Sequence, residues 1–477
     1  MATLLAPYNT AMQLGAGFNS YTQQLCINDA VVREPTAAEA AKAEKPRLPM
    51  AQEVTYKTSV IDKVTDVTSA MNINAAFSIK YDTLDAKGKG DFINTSKVKE
   101  SDVSFMISVK VVNQVIYDHS LTKFEPIPDV KPANFAEVYG DSFISGFQEG
   151  GEFTAVISIK AKDRKKAAKI KADAAINFTK ENFALDVNGE FSKNDNSFLE
   201  ENETTVSVTW SGGGQEIKKP EEDWTLETMR AAALKFPDLV SRTPMRTHAI
   251  LTKYTALRSF HSVLAKMTSG GHDPQAVIPN FEKAGIYTAV LQEAYLDFKT
   301  ILKNLQVLAF SVSAGTERLV ESAAAKRLQQ QQEGSDQSTT GGGLTPSSET
   351  FNSAGFTLVT SGGRAGPSNV ANKPYPPTIE GVEAARNDAR FMLNRIVAEV
   401  DTITRKPELA VDEARPLPYL SPFLFKELLP EGRLVKDKVE QKVEVPGGGA
   451  VGEGPAEEGG IGGLEGMASG LGTTKYF

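Results

Sequence analysis

The sequence predicts an α+β fold, and three observations carry that prediction. Period-two segments recur between Tyr56 and Trp210, a glycine pair stands at the mouth of one of them, and apolar residues return at helical spacing after residue 221. A chain of 477 residues has room for two or three domains and a large core. Its composition, 40% hydrophobic and 23% charged, is that of an ordinary globular protein. No apolar run approaches the roughly 20 residues of a membrane helix, so any action on a membrane does not rest on one.

The net charge of −8 counts against nucleic acid as a partner and against adhesion to anionic lipid by overall charge alone. Cys26 is the single cysteine; it excludes a disulfide within the chain, fits a reducing compartment and reads as a small buried hydrophobe. Met1 to Pro7 has neither the basic residues nor the apolar length of a signal peptide. The chain is therefore expected to be cytoplasmic as synthesised, or exported without such a peptide, and to reach a target membrane after activation. Asn94, Asn177 and Asn202 begin Asn-x-Ser/Thr triplets, which without export are fortuitous.

Taken in order, Leu14 to Tyr21 is a glycine-punctuated turn leading to a short buried strand at Leu25-Cys26-Ile27. Gly15-x-Gly17 lacks the preceding strand and third glycine of a nucleotide loop. Residues 34–49, rich in Ala, Glu, Lys and Pro, form a surface connection. Ile73, Ala75, Phe77, Ile79 and Tyr81 then alternate with polar and small residues, as do Val103, Phe105, Ile107, Val109 and Val111. Between these arms, Asp82 to Ser101 is a charged, glycine-bearing tip. Arms of about ten residues around a polar tip suit a transmembrane β-hairpin, and equally a soluble hairpin with one wet face.

The pattern repeats. Phe153, Ala155, Ile157 and Ile159 form one strand, followed by a basic run from Lys162 to Lys171. Ile170, Ala172, Ala174, Ile176 and Phe178 alternate next, then Leu185, Val187, Gly189 and Phe191, and a polar stretch leads to Val206–Trp210. Between the two patterns lies Tyr139-Gly140-Asp141-Ser142-Phe143, six residues, and Gly150-Gly151, read as a helix or loop, a glycine hinge and a strand. Paired glycines mark a bend, a bulge or a close backbone approach. An ordinary strand entered through a glycine bulge satisfies the same residues.

That spacing resembles the signature of the membrane attack complex/perforin (MACPF) and cholesterol-dependent cytolysin superfamily. Tyr139, Gly140, Phe143, Gly150 and Gly151 match it, whereas Asp141 and Ser142 replace its Thr/Ser-His pair. Gly15 to Asn19 is similar to the opening of fungal MACPF-like proteins. The resemblance covers about the first 260 residues and implies a bent four-stranded antiparallel sheet, with strands near Val54 to Thr65, Val103 to Val115, Phe153 to Lys162 and Thr204 to Trp210. It implies two insertions, 66–102 and 163–203, folded as helices in the soluble form and released as hairpins in a pore. Ile73, Phe77, Ile79, Ile170, Ile176, Phe178, Leu185 and Val187 would then meet lipid. An isolated hairpin leaves its edges unpaired in lipid, so the implied partners are membrane lipid and further copies of the chain in a ring. Ala75, Ala172, Ala174 and Gly189 make the apolar faces thin, which keeps open a non-lytic soluble interaction or storage protein on the same fold.

Residues 221–330 read as helical, with 261–328 a helical extension. Leu291, Tyr295, Phe298, Leu302, Leu305 and Val312 set one long amphipathic helix ending near Leu328. Residues 329–350 form a low-complexity linker. Val382, Ala385, Ala389, Leu393, Ile396 and Val400 mark a second long helix, able to fold back on the first, in a helical and proline-rich region 351–440. The Gly-rich residues 441–477 are expected to be disordered. His119, His248, His261 and His272 have no metal-ligand spacing and no catalytic motif is present, so the expectation is a non-enzyme without metal or cofactor.

Overall fold

The computed structural model describes residues 4–34, 52–61, 63–82, 98, 101–162, 202–269, 277–322, 326–327 and 374–435. Ile170, Ile176, Phe178, Leu185 and Val187 lie outside the described residues, as do the linker and the Gly-rich stretch 441–477. Residues 1–434 group into one compact unit.

The strands are β1 (Leu4–Pro7), β2 (Gly17–Asn19), β3 (Gln24–Leu25), β4 (Val31–Arg33), β5 (Glu53–Ile61) and β6 (Val103–Tyr117), then β7 (Leu121–Phe124), β8 (Ser142–Lys160), β9 (Glu203–Ser211), β10 (Met245–Lys253), β11 (Glu317–Val320) and β12 (Glu431–Leu434). The helices are α1 (Val64–Ala70), α2 (Ala75–Tyr81), α3 (Phe135–Tyr139), α4 (Leu226–Arg242), α5 (Arg258–Thr268), α6 (Ala284–Ser313), α7 (Ile379–Arg405) and α8 (Pro422–Glu427). The chain is thus mixed α+β around an antiparallel sheet.

The four expected strands are neighbours in the order β5, β6, β8, β9. They belong to a sheet of eight, because β1, β2, β3 and β10 extend it. Alternation fixes what each face buries. Val103, Phe105, Ile107, Val109 and Val111 of β6, with Phe153, Ala155, Ile157 and Ile159 of β8, form an aliphatic and aromatic face under Met229, Ala233, Phe236 and Val240 of α4. The opposite face carries Ser104, Ser108, Thr154 and Ser158, all buried, with Met106 and Val156 among them against Val64 and Val67 of α1 and Leu296 of α6. One face is an oily core, and the other is largely hydroxyl-lined.

Helices α6 and α7 pack along a seam. Leu291, Phe298, Ile301 and Leu305 meet Val382, Ala385, Ala389, Met392, Ile396 and Val400, so the second helix, which its spacing marked as a helix, folds back on the first. Within this layer Glu399 is buried and accepts two 2.6 Å hydrogen bonds from Arg415 and one of 3.0 Å from the Tyr287 hydroxyl.

Several elements differ from the sequence expectation, each for a physical reason. β8 begins at Ser142, so Gly150-Gly151 lies within a 19-residue strand and not at its mouth. The region read as wholly helical contains β10, whose residues 247–251 are buried on both faces and show no alternation to mark a strand. Helix α6 stops at Ser313, where Ala314 and the left-handed Gly315 (φ +75°) close the helix. β5 ends at Ile61, because Val64 already opens α1. Residues 75–81 are helical: Ile73, Ala76 and Ile79, three apart, are buried together, so a sequence written at period two also satisfies a helix. The short strand near Cys26 is β3, half-buried rather than buried, and Cys26 is half-buried too, though burial still pushes its thiol up to about 12.

Candidate functional site

The signature residues are built into the structure from both sides. Tyr139 ends α3 inside a ring of aromatics with Phe124, Phe135, Tyr254 and Phe260. Its hydroxyl accepts from the Ile127 N–H at 2.6 Å, and its carbonyl accepts from the Tyr254 hydroxyl at 2.8 Å. Phe143 is 2% exposed beside Tyr254. Gly140 sits at φ +75°, where a Cβ would come 2.2 Å from the Phe18 carbonyl oxygen. Only glycine lets these two backbones meet.

Asp141 takes a distinct role. Its carboxylate accepts from both the N–H and the hydroxyl of Ser20, each at 2.6 Å, across 121 residues of sequence. Burial holds its pKa above the usual carboxylate range, against the pull of the Ser20 hydrogen bonds and Lys253. Ser20 in turn accepts from Asn74 Nδ2 at 2.5 Å. The signature is therefore tied to the turn between α1 and α2, in the first insertion.

Gly150 and Gly151 stand where the partners of β8 change. On one edge β10 pairs with Ser142 to Gly150, and β9 takes over from Glu152 to Lys160. On the other edge β6 runs past the glycines, with a bulge at Asn113 opposite them. Bulges bend a strand and raise its twist. A Cβ on Gly150 would lie 1.9 Å from the Val111 oxygen, and one on Gly151 would lie 2.4 Å from Val240 Cγ2 and 2.9 Å from Phe236 Cζ. Gly212, at φ +80°, closes on Gly150 from β9's exit. Asn113 Nδ2 donates to the Val240 carbonyl at 3.2 Å, so the bulge is pinned to α4.

Both insertions leave the sheet at one end. Ile61, Ser104, Ser158 and Thr205 form a single row across β5, β6, β8 and β9. The first insertion follows Ile61 and returns at Val103; the second follows Lys160 and returns at Glu203, which pairs with it.

The described part of the first insertion is held down by polar groups as well as by the buried Val64, Val67, Ala76 and Ile79. Gln23 Nε2 donates to the Asn72 carbonyl at 2.7 Å, and Gln23 Oε1 accepts from the Asn74 N–H at 3.1 Å. His248 Nε2 lies 3.0 Å from Asn72 Nδ2. Ion pairs join Lys63 to Glu293, Lys80 to Asp401 and Lys299 to Asp82. Ile73 and Ile79 are buried beneath the turn and Phe77 is half-buried. Three buried polar atoms of this layer, Thr22 Oγ1, Ser78 Oγ and Gln292 Nε2, have no hydrogen-bond partner among the described residues. Each such atom costs about 1–3 kcal/mol. Sequence reasoning missed Ser20, Gln23, Asn72, Asn74 and His248, because each acts across 49 or more residues.

Among the described residues no helix is long and apolar enough to cross a membrane, and no three His, Cys, Asp or Glu side chains gather as a metal site.

The fold and this junction define a mixed α+β protein with an antiparallel sheet, on which the described helices of the first insertion are docked. No protein-family model matches the sequence, and no curated protein does. Among solved structures, stonustoxin aligns with TM-score 0.32 and 9% identity over 64% of this chain and 39% of that one. GNIP1Aa from Chromobacterium piscinae aligns with TM-score 0.31 and 12% identity over 59% of each chain. A structure described as a trapped toxin aligns with TM-score 0.25 and 14% identity over 53% of this chain and 50% of that one. The chain spans between 39% and 59% of these proteins' lengths.

Proposed function

We propose that this is a MACPF-like pore-forming protein that binds membranes, assembles into a ring and inserts residues 66–102 and 163–203 as two β-hairpins per subunit. The row Ile61, Ser104, Ser158 and Thr205 carries this reading. Each insertion bridges two adjacent antiparallel strands at the same end, so extending it continues strands already in register. Supporting features are the double periodicity of residues 72–81 and the mixed seat of α1 and α2, in which long-range hydrogen bonds, ion pairs and three unsatisfied polar atoms accompany the buried Val64, Val67, Ala76 and Ile79 and lower the cost of release. Asp141, which with Ser142 stands in place of the family's Thr/Ser-His pair, holds Ser20, whose carbonyl accepts from Asn74 of the insertion, and so acts as a clasp on it.

Dye release from liposomes, with ring particles in electron micrographs, tests the reading. Intact liposomes across several lipid mixtures, with monomers only, would favour a non-lytic soluble interaction or storage protein on this fold. The alanines and glycine of the insertion faces are the observation on that side.

A further inference from the structure

We propose that both insertions extend as bulge-free continuations of the sheet register. Leu84, Ala86 and Phe92, which the sequence alone places in a polar tip, then face lipid, and the aliphatic face under α4 turns to the pore lumen. The inference rests on the pore reading above. Residues 83–97, 99–100 and 163–201 lie outside the described residues, and their places in the extended form follow from the described register and the sequence. β5 and β6 set Ile61 opposite Ser104. In an antiparallel ladder each step up one strand is a step down the other. The same ladder therefore brings Val67 to Val98, Ile73 to Phe92 and Tyr81 to Leu84. Val67 and Val98 already share one buried cluster with Ile61. Asp82 and Thr83 are left as a two-residue turn, and Asp82 already has the left-handed backbone, φ +51°, that such a turn uses.

Alternation then assigns the faces. In residues 65–81 and 84–98, the side that continues from Ile61 and Ser104 holds Ile73, Phe77, Ile79, Leu84 and Phe92 and no charged residue. All seven charged residues of these two stretches fall on the other side, where Lys80 meets Asp85. The second insertion obeys the same rule. From Lys160 opposite Glu203 the ladder leads to Ala172 with Phe191, Ile176 with Val187 and Phe178 with Leu185, on the side of Ser158 and Thr205. All five charged residues of 168–178 and 183–191 again fall on the other side. A one-residue slip would turn every one of these charges toward lipid. The turns come at Asp82, 21 residues beyond Ile61, and at Glu181, 23 beyond Ser158 in the same row, so the two apolar belts stand at one height. Ile61 and Ser158 share their face with Met106 and Val156, under α1 and α6. That largely hydroxyl-lined face runs on into the lipid belt, and the face under α4 runs on into the charged side.

The test uses the full chain with Cys26→Ala and one new cysteine carrying a nitrobenzoxadiazole label, added to phosphatidylcholine vesicles with and without phosphatidylserine, alongside dye release by wild type from the same vesicles. Labels at Ala86→Cys, Phe92→Cys and Ile176→Cys should be quenched by nitroxide-bearing lipid and not by aqueous iodide, and labels at Lys87→Cys, Asp91→Cys and Asn177→Cys the reverse. Phe92→Lys should cut dye release about tenfold or more, whereas Asp91→Lys, on the water-facing side, should leave it within about twofold. The opposite pattern of quenching, or no alternation across 86–92, overturns the register while wild-type dye release leaves the pore standing. Wild type that releases no dye from any of these vesicles removes the pore reading, and this inference with it.

Discussion

His248 Nε2 on β10 lies 3.0 Å from Asn72 Nδ2, in the turn between α1 and α2, while His248 Nδ1 lies 3.7 Å from Glu152 Oε1, the residue after Gly151. One imidazole thus joins the first insertion to the glycine junction. Asn72 adopts φ +56°, so alanine there would add backbone strain to the lost hydrogen bond. Asn72→Gly keeps the backbone and removes only the side chain. We expect it to cost about 1 kcal/mol in urea unfolding, and to raise the initial rate of dye release about fivefold if freeing this turn limits insertion. An unchanged or slower release would show that the turn is not part of the barrier.

The glycine pair yields a contrast within one protein. Gly150→Ala would drive a methyl into the Val111 carbonyl, a backbone atom of the central ladder that has nowhere to go. The loss should reach or exceed the upper end of the roughly 1–3 kcal/mol typical of overpacking. Gly285, in α6, has nothing within 4 Å of its missing Cβ. Gly285→Ala should stabilise by about 0.5–1 kcal/mol, the helical cost of glycine. Thermal melts of the two variants should move in opposite directions.

Asp141 sets a pH dependence of known sign. Burial raises its pKa in the fold above the roughly 3.9 of an unfolded aspartate. A raised pKa means the folded state holds the proton more tightly, so its contribution is complete below about pH 3.9 and declines as pH rises through the folded value. Asp141→Asn lacks this titration. Its stability relative to wild type should therefore rise as pH increases from about 3.9, as measured by denaturant unfolding at several pH values. A difference that stays flat with pH would mean the carboxylate is not desolvated as the structure has it.

The Glu399–Arg415 pair tests the helical layer. Glu399 is almost fully buried, so Arg415→Ala strands a carboxylate and should cost about 3 kcal/mol. Adding Glu399→Gln should recover much of that loss, since the amide still accepts from Tyr287. A double variant no better than the single one would place the cost in lost arginine contacts rather than in buried charge.

What the sequence made legible was local. The alternation of 103–111 and 153–159 showed directly which side chains face α4, and the 3–4 spacing of 382–400 drew the seam with α6. β10 was hidden because a strand covered on both faces loses its period, and the true start of β8 was hidden because paired glycines look like an end. The clasp was invisible for another reason. Ser20, Asn72 and His248 are ordinary polar residues until folding brings them together, and no spacing in one sequence reports a contact across 121 or 176 positions.

Phe77 separates an insertion that meets lipid from one that is only core. In the soluble fold it is half-buried, its ring tilted against Tyr81 with centroids 4.9 Å apart, so Phe77→Lys leaves most of the seat of α2 in place. In an extended hairpin it would share one face with Ile73, Ala75, Ile79 and Tyr81, and a lysine at the bilayer midplane costs about 2–4 kcal/mol per subunit. Dye release should therefore fall at least tenfold while the melting temperature stays within a few degrees. Ile79→Lys is the wrong probe for this question, because Ile79 is 1% exposed and its loss would disrupt the soluble fold first. Undiminished release by Phe77→Lys would show that this face does not enter lipid, and collapse of the monomer would show that Phe77 is needed where it now sits.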